Sequence, residues 1–413
     1  HTLHLCYFGM REPLVQTQVI PYLLEILKDD IKVTLLTFEP NFRDEWTPRQ
    51  IEAERKNLAA KGIDWYCLPY HKTPSVPATL WDIFCGARFA YKMIRREKVD
   101  VLHTRSHVPA LMAAIAKRLS SRKVKFIFDI RGFFPEEYVD AGNWKKNGLL
   151  FRAVKRVEKW LLREADGFVV LTEKARRILF PESENNGFDK RQRPVEVIPC
   201  CVDLKRFEQV NDASSRDAIR RELNVPNRFV IAYVGSLGTW YLADEMADFL
   251  ATAKETDASV FALILTQSDA NLFRERLLEK GFGESDFYIA KVSPSQLPQS
   301  LNASDAALSF IKPCYSKLSS SPTKIAEYLA CGLPIVTNGG VGDVDDFILT
   351  DNVGVVINDF SRDSYFAGFN KIKELMNNKD LTERCRKSAE NRFDLVKVGG
   401  AKYRNLYRKL LKD

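Results

Sequence analysis

The sequence predicts an α/β fold built as two parallel-sheet domains in series. Three observations predict it. Short β-rich runs alternate with amphipathic stretches along the chain, and this alternating series occurs twice. The two series are joined by a charged segment with no strand period. At 413 residues the chain exceeds what one ordinary core holds, which again gives two domains.

In the first series strands are predicted at 3–8, 33–38, 65–68, 101–103, 124–130, 168–171 and 195–199. Helices are predicted between them, among others at 16–28, 79–97 and 149–163. The second series has strands at 229–234, 261–265, 287–290, 306–310, 334–337 and 353–357, with helices at 241–255, 271–280 and 365–376. Uninterrupted Val, Ile, Leu and Phe runs suit strands covered on both faces, so each series reads as a Rossmann-like domain. The boundary follows Pro199: residues 1–200 form the first domain and 201–393 the second, with 200–227 as a connector holding a short helix. A final basic helix, 394–413, carries Lys397, Lys402, Arg404, Arg408 and Lys409, with Lys412 near its end, and can cross back over the first domain.

Composition narrows the function. The chain is 45% hydrophobic and 28% charged, with no apolar run long enough for a spanning helix. Its start lacks the basic, apolar and cleavage regions of a signal peptide. Eight cysteines, none in a C-x-x-C pair, read as reduced thiols of a cytoplasmic protein. Five histidines, none at ligand spacing to a cysteine pair, argue against zinc. A net charge of +8 suits an acidic ligand, an anionic membrane or nucleic acid, and no nucleic-acid-binding motif accompanies it.

The stretch 319–334 carries the strongest local signal. Ser321 is placed to cap a helix starting at Pro322, where the missing N–H is not needed. Gly332 suits the left-handed residue after that helix, and Pro334 prevents its continuation. The opening turn combines free backbone N–H groups with Ser319, Ser320, Ser321, Thr323 and Lys324, the chemistry of a phosphate site. Lys324 falls at the third helical position, where its charge opposes the helix dipole; this local misfit favours a functional lysine over a solvated one. Glu327 faces either solvent or a polar pocket, where it would accept hydrogen bonds from sugar hydroxyls. The loop Gly235-Ser236-Leu237-Gly238-Thr239 follows a strand, and its glycines permit close backbone approach to a phosphate. Together these features read as a nucleotide-sugar pocket in the second domain. Ligands of open parallel sheets bind outside the carboxyl ends of the strands, so the two domains are expected to face each other across a central cleft.

In the first domain His103, Arg105, His107, Asp129 and Arg131 follow two predicted strands. His107 either bonds the transferred sugar or is a capping or core-edge histidine. Arg131 either binds an anionic acceptor or donor phosphate, or pairs with Asp129, Glu136 or Glu137.

Several segments carry a family likeness. They are Val197-Ile198-Pro199 followed by Val202-Asp203 and Arg206-Phe207; the loop from Tyr233 to Thr239; the stretch 321–334; and Val353-Gly354-Val355-Val356. Residues 13–23 and Asp129-Ile130-Arg131-Gly132 add to them. In this order and spacing the chain resembles the retaining glycosyltransferases of the GT-B fold, family 4. The resemblance implies transfer of a hexose from a UDP- or GDP-sugar with retained configuration, no cofactor and no obligatory metal. It implies a glycan or lipid-linked acceptor and a role in surface polysaccharide or glycolipid synthesis, in the cytoplasm or at the inner membrane face.

Residues and resemblance together give the candidate sites. Catalysis is assigned to Lys324, His107 and Arg131. Donor binding is assigned to Gly235, Ser236, Leu237, Gly238, Ser321, Thr323, Lys324, Glu327, Lys312 and Lys317, and the acceptor side to Arg11, Gln16, Arg105, Asp129 and Arg131. The chain departs from the family pattern where Ser319 stands for a first glutamate, Ser236 for a loop arginine, Leu242 for a lysine and Cys200-Cys201 for Asn-Gly. Lys312 and Lys317 are either substitutes for the loop cation or plain surface residues. Region 133–163 mixes aromatic and basic residues, as in a helix lying on an anionic bilayer or in a core-packed helix with a solvated basic face. Two alternatives keep the fold: a nucleotide-sugar epimerase, disfavoured because the second domain has no histidine, and a non-catalytic nucleotide-sugar-binding or scaffold protein, suggested by Ser236 and Ser319.

Overall fold

The computed structural model describes residues 1–208 and 213–411. The chain divides into two compact units, residues 1–199 with 399–413, and residues 200–398.

The first unit holds seven parallel strands: β1 (Thr2–Cys6), β2 (Val33–Glu39), β3 (Ile63–Pro69), β4 (Val101–Arg105), β5 (Lys125–Ile130), β6 (Gly167–Val170) and β7 (Val195–Val197). Their order is β3-β2-β1-β4-β5-β6-β7. The chain therefore reverses its direction of travel between β1 and β4, the kind of point at which ligand crevices form. Strands β1 and β2 are buried along their whole length, as runs such as Val33-Thr34-Leu35-Leu36 require when helices cover both faces.

The second unit holds six parallel strands: β8 (Phe229–Val234), β9 (Val260–Leu265), β10 (Phe287–Ala290), β11 (Ala306–Ser309), β12 (Ile335–Asn338) and β13 (Gly354–Ile357). Their order is β10-β9-β8-β11-β12-β13, so the switch lies between β8 and β11. Large side chains packed on the sheet, including Phe249, Phe369 and Tyr328 from its helices and Phe310 just past β11, fill its core.

Two helices depart from their sequence reading. The helix expected at 16–28 is two, Pro13–Gln18 and Ile20–Leu27, broken at Val19 (φ −121°, ψ −65°). Pro21 explains the break: it has no N–H to continue the ladder and fits only a first turn. The final helix is not continuous over 394–413. A wide π turn, Leu395–Gly400, precedes the helix Ala401–Leu411, and Lys412 lies outside the described residues. Gly400 packs so tightly on Glu25 that a Cβ there would stand 2.6 Å from its Cγ.

Helix Ala401–Leu411 belongs to the first unit, where it buries Tyr403, Leu406, Tyr407 and Leu410. Its basic residues are used locally: Arg404 pairs with Glu25 at 2.6 Å, Arg408 with Asp29 at 2.7 Å and Lys409 with Glu196 at 2.8 Å. The expected connector carries helices Lys205–Glu208 and Ala213–Glu222. Arg216 and Arg220 moor the second of these to Asp305, whose carboxylate also accepts the Val230 N–H.

Candidate active site

At the switch point of the second unit the strands separate. Strand β11 pairs with β8 only at Ala306–Ile231 and Ala307–Ala232. Beyond that, the Tyr328 hydroxyl fills the gap: it accepts the Val234 N–H at 2.7 Å and donates to the Leu308 carbonyl at 3.3 Å. Tyr328 thereby fixes helix Thr323–Ala330 across the carboxyl ends of both strands.

Lys324 lies one turn before Tyr328, on the same helical face. Its Nζ sits 4.2 Å above the Tyr233 ring and 4.1 Å above the Tyr241 ring, and donates to the Tyr233 hydroxyl at 3.2 Å. Lys324 is 6% exposed. Burial lowers its pKa from the usual lysine range to about 7, against a smaller opposing pull from Glu327. The aromatic faces offset part of that cost. The ammonium is thus held in a dry, oriented place where a phosphate would be its strongest partner.

The glycine loop makes room for this lysine. Gly235 has φ +130°, and a Cβ built on it would stand 2.8 Å from Lys324 Nζ. Next along, Gly238 (φ +85°) and Thr239 (φ +55°) turn the chain back so that Tyr241 bridges to Ile311. Lys312 donates its backbone N–H to the Trp240 carbonyl at 2.8 Å, which ties the loop after β8 to the loop after β11. Lys317 is buried with Nζ 3.9 Å over Trp240, while the Lys312 side chain is exposed. Leu237 N–H bonds Ser268 Oγ at 3.2 Å, and the Ser236 carbonyl accepts from the Tyr233 hydroxyl.

Three local expectations change. The helix begins at Thr323, with Pro322 as its N-cap, so Lys324 is the second helical residue and not the third. Ser321 does not cap, because its hydroxyl accepts the Cys200 N–H at 3.1 Å. Ser319 is buried and its hydroxyl donates to the Ser316 carbonyl at 2.7 Å. Glu327 is half-buried; burial raises its carboxyl to about 7, with Arg206 and then Lys324 pulling it down. Thr323, at the head of the helix, is half-buried.

In the first unit Arg105 ends β4 and Asp129, its partner in register, lies near the end of β5. Both are buried. Asp129 accepts from the Tyr403 hydroxyl at 2.8 Å and from Arg131 at 3.4 Å, while Arg105 donates to the Gln18 carbonyl at 3.3 Å. Arg131 therefore has the structural ion pair that the sequence left as one of its two readings. His107 is 5% exposed, its Nε2 lies 3.1 Å from Glu158, and its ring stacks on Phe134 at 5.2 Å. It packs at the edge of the core, with its Nδ1 buried and without a hydrogen bond. Arg11 lies over Trp46 at 4.0 Å and donates to the Glu45 carbonyl in the segment after β2, and Gln16 donates to the Met10 carbonyl at 2.7 Å, so both have partners within the first unit.

The first unit also has a cavity of about 700 Å³ outside the carboxyl ends of β2 and β3. Phe42, Arg43, Tyr70, His71 and Lys72 are among its lining residues. His71 is held from behind. Its Nδ1 lies 2.5 Å from a carboxylate oxygen of buried Asp82, whose other oxygen accepts the His71 N–H at 3.0 Å and the Tyr7 hydroxyl at 2.7 Å. Among the described residues no cluster of three or more His, Cys, Asp or Glu side chains is placed to hold a metal ion, and the eight cysteines are thiols.

Comparison with known proteins places this geometry in a family. The profile of Glycosyltransferase Family 4 matches residues 20–206, and that of Glycosyl transferases group 1 matches residues 215–392. The chain is a GT-B glycosyltransferase of the family 4 type. Solved structures share the fold of this glycosyltransferase. One is a glycosyltransferase from Rickettsia africae, 15% identical with TM-score 0.72, over 100% of this chain and 98% of that one. Another is Anabaena HepE in complex with UDP and glucose, 15% identical with TM-score 0.70, over 98% and 99%. A curated relative is the Escherichia coli UDP-Gal:alpha-D-GlcNAc-diphosphoundecaprenol alpha-1,3-galactosyltransferase, 24% identical over 74% of this chain and 75% of its own length. Among the described residues of this glycosyltransferase no helix is long and apolar enough to cross a membrane.

Sequence reasoning missed the aromatic side chains that build the lysine's seat: Tyr233, Tyr241 and Tyr328. Their only local signal is position, because Tyr233 sits two residues before Gly235 and Tyr328 lies four after Lys324. It also missed the Asp82–His71 pair, whose partners are eleven residues apart and meet only through the fold.

Proposed function

We propose that this glycosyltransferase moves a hexose from a UDP- or GDP-sugar to a glycan or lipid-linked acceptor, with retention of configuration. The donor would bind the second unit at the β8–β11 switch point, and the acceptor the first unit. The observation that carries this reading is Lys324, a buried ammonium held between Tyr233 and Tyr241 against Gly235. Two relatives support it by what their names say: HepE was solved with UDP and glucose, and the E. coli enzyme takes UDP-Gal and a diphosphoundecaprenol-linked sugar.

Breaking the bond between sugar and diphosphate puts negative charge on the β-phosphate. Groups aimed at that charge before it develops lower the barrier most. Lys324 is such a group, and the first-turn N–H groups of its helix add fixed dipoles. Lys317 and Lys312 sit on the facing loop and take the place of the cation that Ser236 does not provide. Glu327, half-buried one turn along, accepts the ribose hydroxyls. Since lysines and N–H groups meet the diphosphate charge, the reading needs no obligatory metal. On the acceptor side Arg43, His71 and Lys72 line a cavity suited to a phosphate-bearing sugar headgroup. This chemistry suits surface polysaccharide or glycolipid assembly at the inner membrane face.

A donor panel tests it. UDP- and GDP-sugars are incubated with the protein, with and without EDTA, and nucleotide release is followed. Slow release from one donor, unchanged by EDTA, is the expected result. Formation of an epimer, or binding without release from any donor, would replace the reading with the epimerase or the non-catalytic one.

A further inference from the structure

Helix Ser75–Arg96 of the first unit buries Ala78, Ile83, Ala87, Ala90 and Ile94 and leaves its other face bare. On that face Val76, Leu80, Trp81 and Phe84 are 51, 58, 55 and 56% exposed. Their three- and four-residue spacing makes one stripe along the first turns. The Trp81 and Phe84 rings stand 5.6 Å apart, so the stripe is continuous there. Contiguous large apolar side chains in water mark an interaction surface. The rest of the bare face carries one sign of charge. Within the helix the charged side chains are Asp82, Arg88, Lys92, Arg95 and Arg96, with Lys72 before its start and Glu97 just past its end, where Glu97 lies 3.9 Å from Lys32. Asp82 is buried beneath the helix against Tyr7 and His71, and the five cations are exposed.

We propose that this helix docks the first unit on an anionic bilayer. Val76, Leu80, Trp81 and Phe84 enter the boundary between headgroups and acyl chains. Lys72, Arg88, Lys92, Arg95 and Arg96 meet lipid phosphates. Charge selects this occupant: a second copy paired along the same face would set its cations against the partner's cations if the helices run parallel, or against the apolar stripe if they run antiparallel, and against an anion in neither case, whereas a phospholipid surface offers both an apolar layer and phosphates. Apolar and cationic halves follow one another along the helix, so its N-terminal half sits deeper. That half adjoins the cavity of His71 and Lys72 through the Asp82 carboxylate, which holds the cavity at headgroup level.

The region the sequence singled out for a membrane, 133–163, has its aromatic residues largely packed on one another. Phe134 lies 4.9 Å from Tyr138 and Tyr138 4.4 Å from Trp144, with Leu149 and Leu150 left exposed. Bilayer docking is independent of the donor reading and is measured without turnover.

The test is flotation with phosphatidylcholine vesicles, with and without phosphatidylglycerol. The wild-type protein is expected to float with the anionic vesicles only. Trp81→Ser combined with Phe84→Ser should weaken binding at least about tenfold, a lower bound for the loss of two partly buried aromatic side chains. Arg88→Glu with Lys92→Glu should abolish it, and Leu149→Ser with Leu150→Ser should leave it intact. Both helix variants should retain wild-type turnover on a detergent-dispersed acceptor. A wild type that floats with neither vesicle, helix variants that bind like wild type, or a concentration-dependent dimer lost in Trp81→Ser/Phe84→Ser would overturn the proposal.

Discussion

Lys324 occupies the space that a side chain at Gly235 would fill, with its Nζ 2.8 Å from the position of a Cβ there. Glycine at 235 is favoured by its φ of +130°, and a Cβ there would push the lysine's ammonium out of place. Gly235→Ala should lower turnover by about 100-fold or more, because a displaced catalytic group loses its preorganisation. Strain should cost about 1–3 kcal/mol of stability. Turnover on the matched donor and a urea titration together check this; an alanine variant with wild-type turnover would separate the loop from the lysine.

The lysine's ionisation gives a second outcome. In the donor-free protein burial holds Lys324 at about 7. A diphosphate beside it favours the ammonium, so binding should raise that pKa and take up protons near neutral pH. Calorimetry of UDP and GDP binding at pH 7.5, in buffers of different ionisation enthalpy, should show net proton uptake that vanishes in Lys324→Met. Removing this ammonium should also stabilise the donor-free protein, by about 1 kcal/mol or more. The sign follows from the lowered pKa: between about 7 and the ordinary lysine range the unfolded chain binds more protons, so the native lysine detracts from stability there.

The Asp82–His71 pair should act on the acceptor alone. Asp82 is a positioning residue, since it reaches the cavity only through His71. Asp82→Asn should raise the acceptor KM several-fold and leave donor KM unchanged. His71→Ala should do the same and also lower stability, because it leaves an oxygen of the buried Asp82 carboxylate without its imidazole partner. Equal effects on both substrates would point to a general loss of structure.

A buried pair in the first unit predicts acid sensitivity. His4 and His103 meet edge to face at 4.5 Å, and Tyr407 reaches His103 Nδ1 at 3.0 Å. Burial lowers both histidines, His103 to about 4. Folded pKa values below the ordinary 6.5 mean that the unfolded chain binds more protons at acid pH. Their contribution is present above 6.5 and is lost as pH falls toward 4. Urea unfolding should show a loss of roughly 1–3 kcal/mol over that window. His103→Gln should flatten the dependence.

Much of the fold was legible because parallel strands buried on both faces are written as uninterrupted apolar runs. Each of the thirteen strands among the described residues lies where a β-rich run was read, within two residues at either end, although the edge strands β3, β7 and β10 carry polar or exposed residues. The break at Val19 was written in Pro21 and was passed over, because the amphipathic pattern continues through it. The site was half legible. Helix capping residues and paired glycines are local signals, so the stretch around Lys324 stood out. Its shift by one helical position was not readable, because the Ser321 hydroxyl is taken by Cys200, far away in sequence. For the same reason the partner of His107 was not readable: nothing near it in the chain announces Glu158. The tyrosines around Lys324 look like ordinary core until the sheet places their rings together.

The central claim is that Lys324 meets the leaving diphosphate. The most direct measurement is nucleotide release from the matched donor by wild type, Lys324→Met and Lys324→Arg, with UDP and GDP affinity measured in parallel. Release should fall by about 1,000-fold in Lys324→Met, the effect of removing one preorganised charge-stabilising group. Affinity for the diphosphate should fall with it, and Lys324→Arg should recover only part of the rate, since a longer, planar guanidinium places its charge differently from the ammonium between Tyr233 and Tyr241. Wild-type release and affinity in Lys324→Met would contradict the account.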